Sequence, residues 1–196
     1  MNIRTGLITA ALVAAPAVAS AVEIIPMLGI ADFENEDGDA DYESGLALGV
    51  SIGGRLAPIF SLHGQLHYHR FTDSTDDADG NIVSLQLAPL FHLVDNRTLD
   101  LMVGPVFGFT RQSVVFDGGV LDDYEASVTG PLVGLHAGLY FRLNETLSLG
   151  PTFQYSKIYA SEACVEFNGD RECREVDDDV DPLTFILFNA GLKIAF

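Results

Sequence analysis

The stretch Gly45-Leu46-Ala47-Leu48-Gly49-Val50-Ser51-Ile52-Gly53 decides the fold. Every second residue is large and apolar: Leu46, Leu48, Val50 and Ile52. Only glycine, alanine and serine stand between them. A period of two sends successive side chains to opposite faces of a strand. Here one face carries bulky hydrocarbon and the other small or polar groups. That is the pattern of a membrane strand with lipid outside and a lumen inside.

The alternation recurs down the chain. Phe60, Leu62, Leu66 and Tyr68 oppose Ser61, His63, Gln65, His67 and His69. Val83, Leu85, Leu87 and Phe91 oppose Ser84, Gln86, Ala88 and His92, and Leu99 to Phe109 alternate with Asp100, Met102, Gly104, Gly108 and Thr110. Val133, Leu135, Leu139 and Phe141 oppose Gly134, His136, Gly138 and Tyr140, and Leu147 to Tyr155 alternate with Ser148 to Ser156. The last run puts Ile186, Phe188, Leu192, Ile194 and Phe196 against Asn189, Gly191, Lys193 and Ala195. An apolar but poorly alternating segment near Val22 to Phe33 makes eight candidate strands. Each has roughly 10–14 residues, enough to cross a bilayer when tilted. An open sheet edge would leave backbone groups unsatisfied in lipid, so the sheet must close.

The connections also alternate. Long acidic loops follow strands one, three, five and seven. Short turns near Arg55-Leu56-Ala57-Pro58, Asp95-Asn96-Arg97 and Leu143-Asn144-Glu145 follow the others. Long loops on one side and short turns on the periplasmic side characterise outer-membrane barrels. Phe60, Phe91, Phe141 and Phe196 fall at the turn-side ends, and Phe71, Tyr155, Tyr159 and Phe185 toward the other rim, as two aromatic girdles. Pro89, Pro105, Pro131 and Pro151 interrupt the strands and are expected to mark bulges or bends.

The N-terminus has its own logic. Arg4 precedes an apolar run from Gly6 to Ala19, and Ala19-Ser20-Ala21 is a small-residue cleavage site. Residues 1–21 are therefore expected to be a signal peptide cut after Ala21, with residues 22–196 as the barrel domain. The apolar run is shorter than the roughly 20 residues of a membrane helix. Export permits disulfides. Cys164 and Cys173 are the two cysteines and suit a loop-closing bridge.

The net charge is −18, with most acids in Glu34 to Glu43, Asp73 to Asp79, Asp117 to Glu125 and Glu162 to Asp181. Such a surface argues against a nucleic-acid partner, because phosphate binding needs basic residues. These segments read as solvated loops, with weak divalent-cation binding as a further expectation. Asp73 to Gly80 fails as an EF-hand, because Ser84 or Gln86 stands where the terminal acid should be. Asn96-Arg97-Thr98 and Asn144-Glu145-Thr146 match a glycosylation sequon but read as turn residues.

Residues Gly134 to Leu149, with the pattern GLHAGLYFRLNETLSL, resemble the strand-turn-strand of OmpA-type outer-membrane barrels. The C-terminal Asn189-Ala190-Gly191-Leu192-Lys193-Ile194-Ala195-Phe196 resembles their insertion signal. The resemblance implies an all-β, eight-stranded, antiparallel up-and-down transmembrane barrel in the bacterial outer membrane. It also implies that Phe196 is read by the barrel-assembly machinery, and that the chain is the barrel domain without a peptidoglycan-binding domain.

Among polar residues, His63, His67 and His69 share one inward face and are the candidate metal ligands, since imidazole suits zinc or copper. The commoner use of such residues is to fill a lumen with hydrogen bonds. Pairing through the short turn would set Gly49 beside His63 and Gly45 beside His67. Ser84 would stand opposite His69, which makes a Ser-His-Asp hydrolase of the lipid-modifying barrel class conceivable. His92 and Asp100 are expected to form a lumenal ion pair, with Lys193 close. The leading reading is a monomeric structural or surface-interaction barrel in outer-membrane lipid, with no cofactor and no catalytic residues. Eight strands leave room only for side chains, which argues against a general porin. The alternatives are a lipid-modifying barrel enzyme and a soluble lipocalin-like carrier, in which the large apolar residues would face inward.

Overall fold

A computed structural model describes residues 22–34, 45–72, 78–116, 124–167, 170–176 and 180–196. The expected signal peptide with its Ala21 cleavage site lies outside the described residues, as do most of the first three acidic clusters and Asp73 to Asp77 of the rejected calcium loop.

Ten antiparallel strands are present among the described residues. They are β1 (Val22–Glu34), β2 (Gly45–Ala57), β3 (Phe60–Thr72), β4 (Ala78–Asp95), β5 (Leu99–Phe116), β6 (Tyr124–Arg142), β7 (Leu147–Ile158), β8 (Glu162–Phe167), β9 (Asp170–Glu175) and β10 (Leu183–Ala195). Eight of them form the wall. Each of β1 to β6 pairs with the next, β7 pairs with β10, and β10 closes on β1 through Ile24↔Ile194 and Ile30↔Phe188. The eight-stranded closed barrel is thus as the alternation predicts.

Two elements differ from expectation. The acidic segment Glu162 to Asp181, expected as loop, contains the β8–β9 hairpin. It pairs with the overhang of β6, from Tyr124↔Phe167 to Thr129↔Glu162. Its alternation is short, Ala163, Val165 and Phe167 against Glu162, Cys164 and Glu166, and the surrounding acidic residues mask it. Strands β4, β5 and β6 run to 18, 18 and 19 residues, well past the expected length. The wall is taller on that side than a bilayer requires.

The apolar face is outside. Phe109 is 71% exposed and Leu85 66%, whereas His63, His69 and Ser156 are fully buried. A soluble carrier would show the reverse, so the lipocalin alternative falls. Phe60, Phe91, Phe141 and Phe196 ring the turn-side rim as expected, with Phe60 and Phe91 in ring contact at 5.3 Å. Tyr155 and Tyr159 face outward at the other rim. Phe71 and Phe185 do not join them. Both are buried inside and, with Ile82, Leu132 and Leu187, fill the loop-side end of the lumen. They occupy inward positions of the period-two pattern, and parity overrides the aromatic tendency to sit at interfaces.

The prolines are also corrected. Pro105 and Pro131 sit in unshifted ladders, and pairs on either side of Pro89 and Pro151 keep one register. The register shifts lie instead at Arg55/Ala57 and His92/Val94, beside the tight turns. Where Pro89 lacks an N–H to donate, Gly104 lets the chains close up: a Cβ there would stand 2.0 Å from the Pro89 carbonyl oxygen.

Candidate functional site in the barrel lumen

The turn-side end of the lumen is a charge cluster. Lys193 Nζ donates to Asp100 Oδ2 and Glu23 Oε1, each at 2.8 Å. Arg55 reaches Asp100 at 3.2 Å, Glu23 at 3.5 Å and the rim residue Asp95, which Arg142 also binds. His92 Nδ1 meets Asp100 Oδ1 at 2.7 Å, so the expected His92–Asp100 pair with Lys193 close is present. Glu23, Asp100 and Lys193 are almost completely buried, and buried charges persist only when paired. Sequence order hid Glu23 and Arg55. They come from β1 and β2, and only closure through β10 brings them to Lys193. A cavity of about 250 Å³ opens at this rim between Glu23, Arg55, Arg142 and Lys193.

Two serine–histidine–carboxylate chains are built into this end. Ser61 Oγ bonds His92 Nε2 at 3.0 Å, and His92 in turn bonds Asp100. Ser51 Oγ bonds His63 Nδ1 at 3.1 Å, and His63 Nε2 faces Glu23 at 3.4 Å. The connectivity is that of a hydrolytic triad. However, Ser61 and Ser51 are sealed from solvent, and the Asp100 carboxylate is already shared with Lys193 and Arg55.

The expected triad partners are not brought together as drawn. His67, not His69, stands opposite Ser84, and His69 stands opposite Ile82. Ser84 Oγ accepts from Gln86 Nε2 at 2.8 Å. Across the first hairpin, Gly53 lies beside His63 and Gly49 beside His67, a shift of four residues from the expected register. The cause is the turn. Strand β2 runs on to Ala57, and Pro58-Ile59 makes the bend, as suits the fixed φ of proline. An even shift leaves every side chain on its expected face.

Mid-lumen, a layer of amides, hydroxyls and imidazoles spans the barrel. Gln154 Nε2 donates to Gln86 Oε1 at 3.0 Å and Ser156 Oγ at 2.9 Å, and Asn189 Nδ2 donates to Thr152 Oγ1 at 3.5 Å. His67 shares a 3.3 Å hydrogen bond with Gln65 Oε1. The His67 and His69 rings stack at 5.8 Å, and Phe185 meets His69 edge-on at 4.7 Å. His63, His67 and His69 do share the lumenal face. His136 on β6 joins them, and the Gly134-His136-Gly138 alternation was the signal for it.

Outside the lumen, Cys164 and Cys173 are disulfide-bonded across the β8–β9 hairpin. Glu162 lies near both sulfurs, but the bridge removes the thiolates that a metal would need. Asn96 and Asn144 close their turns as read. Asn96 Oδ1 accepts the N–H groups of Thr98 and Leu99, and Asn144 Oδ1 those of Thr146 and Leu147.

The family model described as outer membrane protein beta-barrel domain matches residues 5–193. The chain belongs to this family. It is an integral protein of the bacterial outer membrane, all-β, with eight strands in the wall. Among solved structures, Neisserial surface protein A is similar at 16% identity and TM-score 0.60, over 90% of this chain and 96% of that one. A major outer membrane protein from Thermus thermophilus is similar at 13% identity and TM-score 0.59, over 89% of this chain and 99% of that one. OprG from Pseudomonas aeruginosa is similar at 14% identity and TM-score 0.57, over 90% and 96%. At such identities the likeness is one of fold. No curated protein sequence matches the chain.

Proposed function

We propose that this barrel is a non-enzymatic surface element: a plugged wall in the outer membrane that displays its taller, acidic side outside the cell. The filled lumen carries this reading. Charges occupy its turn-side end, amides and imidazoles its middle, and Phe71, Phe185 and Ile82 its loop-side end. Such packing leaves no aqueous path for a general porin. The Ser61–His92–Asp100 chain is structural in this reading, because substrate has no route to Ser61. The disulfide-closed hairpin and the overhang of β5 and β6 form the displayed surface. Divalent cations are the expected small partners of the acidic loops. The chain acts as a monomer, inserted by the barrel-assembly machinery through the Phe196 signal.

Two measurements on the folded full chain test it. Reconstituted in a planar bilayer, the barrel is expected to give no porin-sized conductance. On intact cells, an impermeant carboxylate-directed reagent is expected to label the acidic side chains of residues 162–176. A stable large conductance, or labelling only after the cells are broken, would overturn the proposal.

A further inference from the structure

The extended side of the wall ends in an open strand edge. Among the described residues, β9 pairs with β8 alone and terminates the sheet. The ladder shows which of its backbone groups are free. Val176 donates its N–H to the Ser161 carbonyl oxygen at 3.1 Å. From there, residues facing each other alternate between hydrogen-bonded and non-hydrogen-bonded pairs. Cys164 and Cys173 accordingly form a narrow, non-hydrogen-bonded pair, with Cα atoms 4.0 Å apart. The N–H and C=O groups of Arg171, Cys173 and Glu175 therefore point away from β8. The side chains from Arg171 to Glu175 are all exposed.

An open edge is a template for another strand, and charged side chains on it deter most candidates. The order of the charges then decides which strand fits. The edge reads Arg171-Glu172-Cys173-Arg174-Glu175. Laid antiparallel on a second copy of itself, with Cys173 opposite Cys173, it sets each Arg171 against Glu175 and each Glu172 against Arg174. Opposite charges in facing positions stabilise a ladder. In the same register Arg171, Cys173 and Glu175 face one another, so every free backbone group finds a partner. Neighbouring registers fail. A slip of one residue sets Arg171 against Arg174 or Glu172 against Glu175, and it puts bonded positions opposite unbonded ones. A slip of two sets Glu172 or Arg174 against its own copy.

We infer that β9 is a self-recognition edge, and that the copy it pairs with stands in a facing membrane. Copies in one membrane share their polarity, and a two-fold axis along the membrane normal makes their tilted edges cross. Antiparallel pairing about a two-fold axis through the sheet reverses the barrel axis, so the second barrel belongs to the opposite surface. Within its own membrane the chain stays a monomer. A single edge of 6 residues binds weakly, and many such edges between two surfaces add through avidity. The inference rests on the proposed display of this side outside the cell.

The full chain reconstituted in phosphatidylcholine vesicles tests it. Outward-facing hairpins are scored by an impermeant carboxylate-directed reagent on residues 162–176, and clustering is read by light scattering. Parent vesicles are expected to cluster. Arg171→Glu with Arg174→Glu makes the edge wholly acidic, and Glu172→Arg with Glu175→Arg makes it wholly basic. Each population alone is expected to stay dispersed, and a mixture of the two to cluster again. Glu175→Pro removes a free N–H from the edge and none from the β8 ladder. It is expected to abolish clustering while keeping the heat-dependent electrophoretic shift of a closed barrel. If a charge-reversed chain lacks that shift, Glu175→Pro decides. Dispersed parent vesicles with labelled hairpins would overturn the proposal. So would clustering by Glu175→Pro or by either charge-reversed population alone, which would assign the contact to another surface. Vesicles that cluster while intact cells leave residues 162–176 unlabelled would instead sink the outside display, and the pairing between cells with it.

Discussion

At the scale of single residues, Lys193 holds the most consequential position. Its ammonium stands between Glu23 and Asp100, all three buried. Removing one partner from such a set leaves charges without compensation, at about 3–5 kcal/mol. Arg55 and His92 still face Asp100 in its absence, so Lys193→Met is expected to cost about 3 kcal/mol, at the lower end of that range. The denaturant midpoint of the barrel refolded in vesicles reads this out, and an unchanged midpoint would show that the cluster is not a structural lock. Gly104 is a second such position. Gly104→Val would drive a side chain into the backbone of Pro89. It is expected to lower the same midpoint, whereas Gly64→Ala, where a Cβ meets nothing closer than 3.8 Å, leaves it within about 1 kcal/mol.

Among the elements, the hairpin of β8 and β9 is the one the barrel does not need. It extends the wall by pairing with β6 above Gly130, and its disulfide closes a sequence separation of 9 residues. A loop that small gains roughly 2–3 kcal/mol from cross-linking in the chain-entropy account. The gain is local to the hairpin. Reduction is therefore expected to expose residues 162–176 to protease while the heat-dependent electrophoretic shift stays unchanged. Loss of that shift on reduction would mean that the hairpin supports the wall. The turns behave in the opposite way. Asn96 and Asn144 tie their own N–H partners, and register in the first hairpin is set by Pro58-Ile59.

For the whole molecule, the decisive property is which face meets lipid. Leu66 and Leu85 pair across β3 and β4, and both are exposed near the middle of the ladder. An arginine at the bilayer midplane costs about 2–4 kcal/mol on a barrel's outer face. Leu85→Arg is expected to destabilise the vesicle-embedded barrel by that amount and to leave a detergent-solubilised one much less affected. Equal effects in both media would contradict the lipid-facing assignment.

The sequence by itself determined the strand count of the wall, the two faces of every strand, the alternation of long and short connections, the His92–Asp100–Lys193 association and the pairing of the cysteines. These follow from period-two patterning and from neighbours across short turns, both of which are local. What is close only after closure was not legible. Glu23 joins Lys193 because β1 meets β10, and Gln154 reaches Gln86 across the lumen because the lumen is narrow. Ser61, unremarkable on its strand, meets His92 diagonally across the β3–β4 ladder. Alternation alone leaves the histidine registers two and four residues from their true pairings and gives no sign of the β8–β9 hairpin. Alternation fixes parity but not offset, and a strand outside the bilayer has no hydrocarbon solvent to imprint its pattern. Chemistry inside a barrel is set by closure, and closure is a property of the tertiary structure alone.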